Sequence, residues 1–313
     1  LVAFRWVPLV TFALLVLAVR FSEPARAGGC ALSANGNTQF ITCYGVPSPA
    51  PQPTTLPTFA PGKPNNSYNF TYYGSNGRNG SNGAIGIPSS AGGGGGAAPN
   101  LLTSLGTSTS YYTNPYPTTT FAPGTFVYVT TSSRNAQAGI LLQSIGGGGG
   151  TGGNGCCGSS ASSGGAGGAG GSINAVIGTS GSFALLTAAT DTPGIWVRSA
   201  GGTGGNGGNG YVGANGRDGA PGGSGGIITI NVGANVYTLG DYSAGILAQS
   251  VGGNGGNGGS STWTIGGSGG NGASGQSGSN VTVNLTSGGT ILTSGIESDG
   301  ILAQSIGGFG GAG

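Results

Sequence analysis

The chain has 313 residues, 75 of them glycine, and only 4% of its side chains are charged. Ordinary soluble domains carry about 25% charged residues, and strings of glycine are costly to order and cannot fill a core. A conventional globule is therefore excluded, and with no histidine in the chain a Ser-His-Asp triad is excluded too.

Residues 1–27 have the layout of a secretory signal: Arg5, an apolar run from Val7 to Val19, and the small-x-small pattern Ala25, Arg26, Ala27. The run is too short for a membrane-spanning helix, which needs about 20 apolar residues. The chain starts at Leu1 and contains no Met. Cleavage after Ala27 removes Arg5, Arg20, Arg26 and Glu23, leaving five basic and five acidic residues. A neutral chain offers no basic footprint for nucleic acid or anionic lipid.

Residues 28–44 form a small unit in which Cys30 and Cys43 flank "ALSANGNTQFIT", two extended runs around an "NGN" turn. A disulfide between them closes the hairpin and stabilises it by about 3 kcal/mol, in keeping with export to an oxidising compartment. Residues 45–124 are rich in Pro, Thr and Tyr, as in "VPSPAPQPTTLPTFAPGKP", and read as an extended linker. The sequons "NNS" and "NFT", at Asn65 and Asn69, arise readily by chance in such composition.

From residue 125 to 313 the chain repeats. The phrase "GILAQSIGG" starts at Gly139, Gly194, Gly245 and Gly300, in steps of 55, 51 and 55 residues. After each complete phrase come a glycine-rich insert and two β-like runs, as in "IITINVGANVYTLGDYSA". The inserts span Gly146–Gly171, Gly201–Gly226 and Gly252–Ser279. Alternating β-branched residues broken by Gly, Asn and Ser specify short strands, and no 3.6-residue period supports a helix. One such unit cannot bury its inner face alone, so stacked copies are expected, with parallel ladders and a thin continuous core. The expected fold is all-β, a parallel β-helix of the right-handed kind, with the glycine inserts expelled as loops on one side.

Few residues are candidates for chemistry. Glu297 and Asp299, two apart, share a face if they lie on a strand and would then make a carboxylate pair, but their Ser and Gly neighbours read as a solvated turn. Cys156 and Cys157 are adjacent, leaving a vicinal bridge or two free thiols open. The many G-x-G-x-x-G matches lack the strand-to-helix context of a nucleotide site, and "GGNGGNGG" puts Asn and Gly where calcium would need acids. No cofactor or metal is expected. Tyr211 and Trp263, placed in loops, are candidate binding aromatics, while Trp196 falls in a strand and is expected to pack inward.

The signal, the early Cys pair ending in "FITCYG" and the repeated "GILAQSIGG" followed by glycine tracts resemble the passenger domain of a bacterial autotransporter, a type V secreted surface protein. The resemblance covers residues 28–45 and 125–313 and implies a β-helical, non-catalytic passenger at the cell surface. Its partners would be an outer-membrane translocator barrel, which this sequence does not include, and a host surface or further copies of itself in adhesion. The stop inside the glycine insert that follows the fourth phrase implies a truncated passenger. Two other readings compete. One is a glycine-rich cell-wall or matrix protein, in which packed polyglycine helices are the structural element and the strands minor. The other is a β-helical polysaccharide-degrading enzyme.

Overall fold

The computed structural model describes residues 29–35, 38–44, 67–85, 87–105, 126–129, 138–178, 184–262 and 268–313. The expectations for residues 1–27 and for Trp263 lie outside these residues. Among the described residues the structure is all-β, without a helix.

The strands run in chain order as follows. A hairpin of β1 (Gly29–Asn35) and β2 (Thr38–Tyr44) comes first. The first unit contributes β3 (Ser67–Tyr73), β4 (Leu101–Leu105) and β5 (Phe126–Val129). The second contributes β6 (Ile140–Ile145), β7 (Gly155–Cys156), β8 (Ile173–Ile177) and β9 (Ala184–Thr187). The third has β10 (Ile195–Ala200), β11 (Gly210–Tyr211), β12 (Ile228–Val232) and β13 (Asn235–Thr238). The fourth has β14 (Ile246–Val251), β15 (Ser261–Thr262), β16 (Val281–Leu285) and β17 (Thr290–Thr293), and β18 (Ile301–Ile306) follows.

Each unit places one strand in each of three sheets, ordered β3-β6-β10-β14-β18, β4-β8-β12-β16 and β5-β9-β13-β17. All neighbours within these three ladders are parallel. The repeated phrase forms the first ladder, with Ile140, Ile195, Ile246 and Ile301 in register. The hairpin extends that sheet, β2 lying parallel to β3. Its antiparallel register sets Cys30 directly opposite Cys43. Paired antiparallel residues lie about 4.5–5.5 Å apart at Cα, within the range a disulfide can close.

The core lies between the three ladders. Ile140, Ile195 and Ile246 from the first, Ile173 and Ile228 from the second, and Leu185 and Val236 from the third are all buried in one cluster. Along β12 burial alternates residue by residue, as period-two patterning requires.

Two expectations are corrected. The stretch read as a linker contains strands: Ser67–Tyr73 and Leu101–Leu105 are the first unit's members of two ladders. Prolines flank these strands rather than interrupting them, so the ladder keeps its N–H donors. The second correction concerns the glycine inserts, which are not loops.

Each insert runs out and back as two extended arms that pack on the arms of neighbouring units. The backbone bonds recur every third residue. In the second unit Gly146, Gly149, Gly152 and Gly155 donate to Ala200, Thr203, Asn206 and Asn209 of the next outgoing arm at 2.8–2.9 Å. Gly147, Gly150 and Gly153 donate the other way, to Gly96, Gly93 and Ser90 of the preceding return arm at 2.9–3.0 Å. A period of three is that of the polyproline II conformation, whose own geometry contains no internal hydrogen bonds. Here those bonds are made between arms, in two layers.

The third residue of each triplet faces outward, and its N–H is capped wherever the preceding unit places an asparagine in register with it. Asn76, Asn79 and Asn82 accept through Oδ1 from the N–H groups of Gly148, Thr151 and Asn154, each at 3.0 Å. Asn206 and Asn209 do the same for Asn257 and Ser260 at 2.9 Å. A capped triplet such as Gly152, Gly153 and Asn154 thus satisfies all three of its backbone donors, as a packed backbone must.

The serine of the phrase ties the arms to the sheets. Ser199 is buried; its Oγ donates to Gly171 O and accepts from Gly226 N, both at 2.8 Å. Ser144 and Ser250 repeat the contact in their own units. Ser199→Ala is expected to leave both glycine groups buried and unpaired and to destabilise the chain by about 2–5 kcal/mol. Urea denaturation measures it; a loss below about 0.5 kcal/mol, the scale of an ordinary surface change, would count against this role.

Candidate functional site at the tips of the glycine arms

The arms end in turns that line up across units. β7, β11 and β15 pair there as a small parallel sheet, with Gly155, Gly210 and Ser261 in one register row and Cys156, Tyr211 and Thr262 in the next. Two of the turns share one design. Cys157 and Gly158 have φ of 57° and 88°, and Ser159 N donates to Cys156 O at 3.0 Å. Val212 and Gly213 have φ of 41° and 81°. Two successive positive φ values define the type I′ turn, which suits glycine in its second place and is uncomfortable for a β-branched residue in its first.

Cys156 and Cys157 form a vicinal disulfide within this turn, settling the alternative the sequence left open. Around it the tips expose an apolar ridge that includes Ile87, Tyr211 and Val212, the last 58% exposed. Tyr211, expected as a loop aromatic, therefore stands beside the disulfide, one strand over. Two concave regions flank the ridge. One, of about 550 Å³, is lined by Ile87, Cys157, Arg217 and four serines among others. The other, of about 510 Å³, is floored by the asparagine ladder, including Asn82, Asn154 and Asn209.

Arg217 is the residue that sequence reading missed. It sits on the return arm of the third unit yet reaches back to the second, where its Nε donates to Ala161 O at 3.3 Å. The signal lay in "NGRDGAPGG", whose only exceptional feature is a charged pair inside a glycine arm. Its neighbour Asp218 is engaged elsewhere, accepting from Asn271 N at 2.7 Å.

The remaining candidates are not brought together. Glu297 and Asp299 lie in an exposed turn after β17, and Glu297 has φ of 52°. This corrects the strand-spaced carboxylate pair: a left-handed residue breaks the extended geometry that would put both side chains on one face. Trp196 lies in β10 but on the half-buried outward face, not the core, and its Nε1 donates to Gln249 Oε1 at 3.3 Å. Alternation decides this, because Ile195 and Val197 on either side fill the core. Neither groove has a carboxylate in its lining. Comparison with protein-family models, curated proteins and solved structures finds no match for this chain.

Proposed function

We propose that the chain is a structural, adhesin-like surface passenger: a β-solenoid stalk whose stacked units carry a glycine-arm wall and hold the arm tips outward, without catalysis. The observation that carries this reading is the register of the tips. Turns separated by more than fifty residues of sequence are held in one paired row by β7, β11 and β15. Three parallel ladders around one apolar column favour the solenoid, since each unit alone would leave its inner face in water.

The signal-like leader and the repeated phrase support export and display through an outer-membrane translocator barrel. The packed glycine arms favour the second reading, a glycine-rich matrix protein, because they form a structural layer of their own. The two readings differ in what faces outward on a cell. An epitope inserted after Gly213, in a fusion of residues 28–313 to a translocator barrel, is expected to be labelled by antibody on intact Gram-negative cells. Labelling only after the cells are permeabilised would overturn the display reading.

A further inference from the structure

We propose that the groove beside the tip disulfide is a binding site for a saccharide bearing a carboxylate. This rests on the tips being the outward edge of the molecule. The groove is assembled from three units, with Ile87 from the first, Cys157 from the second and Arg217 from the third, so it exists only when the units are stacked.

Its chemistry is selective. Arg217 is the one charged residue in the lining, on a chain with few charges of any kind. Its Nε is fixed by the Ala161 carbonyl, which steadies the guanidinium while leaving its terminal Nη donors for a ligand. A planar fork of this type can pair bidentately with the two oxygens of a carboxylate. The serines supply hydroxyls along the wall, where Ser89 Oγ and Ser162 Oγ lie 2.6 Å apart and Ser159 Oγ donates to Ile87 O at 3.1 Å. Each hydroxyl keeps acceptor capacity beyond the bond it makes. Ile87 and the disulfide add a rigid apolar plate, with Tyr211 next to it in register, against which the C–H face of a sugar ring can lie.

Other ligand classes fit less well. A protein partner needs roughly 20–30 residues a side, far more than this ridge provides. A nucleic acid needs several cations to neutralise its phosphates, and one is present here. A lipid surface needs a broad apolar face rimmed by many basic residues. The volume, about 550 Å³, lies within the usual range of roughly 300–1,000 Å³ for small-ligand sites.

The test is calorimetric titration of the full chain with a hyaluronan tetrasaccharide and with the same tetrasaccharide after its carboxylates are reduced to alcohols. The acidic form is expected to bind about tenfold more tightly, the worth of one charge-assisted contact. Arg217→Gln should erase that preference, Arg217→Lys should recover part of it, and Cys156→Ser with Cys157→Ser should weaken both sugars alike. Arg217 is exposed, so thermal unfolding of R217Q is expected to match that of the parent chain.

Equal binding of the two sugars, binding of neither, or an unchanged preference in R217Q would overturn the assignment. Sedimentation showing dimers that Tyr211→Ala dissolves would overturn it in favour of a second copy at the ridge. Because the titration is done in solution, its failure leaves the antibody result on intact cells unaffected, and the converse also holds.

Discussion

Gly205→Ala is expected to disrupt the glycine arms, whereas Gly148→Ala, in the neighbouring arm, is expected to leave them standing. A Cβ on Gly205 would lie 2.0 Å from Gly150 O and 2.6 Å from Gly150 C. Both are backbone atoms hydrogen-bonded into the array, so no flexible side chain can move aside. Gly205 N also donates across the layers to Gly165 O at 2.8 Å, a bond that separation of the arms would break. Overpacking alone costs about 1–3 kcal/mol and each lost buried bond about 1–3 more, so a total near 3–5 kcal/mol is expected. That is a large share of a stability of about 5–15 kcal/mol.

At Gly148 the nearest neighbour of an added Cβ is Thr203 Oγ1 at 3.5 Å, an ordinary contact. Its N–H keeps its bond to Asn76 Oδ1. Alanine there restricts the unfolded chain and is expected to be neutral or to stabilise by about 0.4–1 kcal/mol. Urea denaturation of the two variants decides the matter. Equal midpoints would mean that the arms are not close-packed.

The difference between these two glycines marks how far the sequence could be read. The ladders were legible because β-branched alternation and a constant step survive in each copy: the 55, 51 and 55 residue spacing of the phrase is the offset at which Ile140, Ile195, Ile246 and Ile301 pair. The first unit was not legible, since β3 reads "SYNFTYY" and pairs with "ILLQSI" while sharing almost no residue with it. Phe70 and Tyr72 fill the buried positions that Leu142 and Ser144 fill one unit later, so only the burial pattern is kept.

The glycine arms were misread for a different reason. Hydrophobic periodicity is the usual guide to regular structure, and glycine has no side chain to display one. The usable signal was the three-residue spacing of Asn, whose role becomes visible only when the next unit's N–H is placed beside it. At the tips, Tyr211 was legible as an exposed aromatic, whereas the partnership of Arg217 with Cys157 and Ile87 depends on stacking across units and has no local trace.

Excising residues 201–226 while rejoining β10 to β12 is expected to abolish the single cooperative unfolding transition. The sheets set the geometry: parallel neighbours in a ladder sit about 4.8 Å apart, so arms two units apart are held about 9–10 Å from each other. The flanking arms therefore cannot close over the gap without tearing the ladders. On one side Gly149, Gly152, Gly167 and Gly170 lose the acceptors Thr203, Asn206, Pro221 and Ser224. On the other, the carbonyls of Asn254, Asn257 and Ser274 lose the donors Gly204, Gly207 and Gly222. Water entering the slot can solvate these groups, but the arms then lack the partners that held an otherwise unbonded backbone in place. Amide exchange in both flanking arms is expected to rise while β6 and β14 stay protected, and the calorimetric enthalpy should exceed the van't Hoff value. Were the transition to stay single, with exchange at Gly149 and Gly167 unchanged, the arms would be appendages of the ladders. The tips would then lack the rigid support that an outward-facing groove built from three units requires.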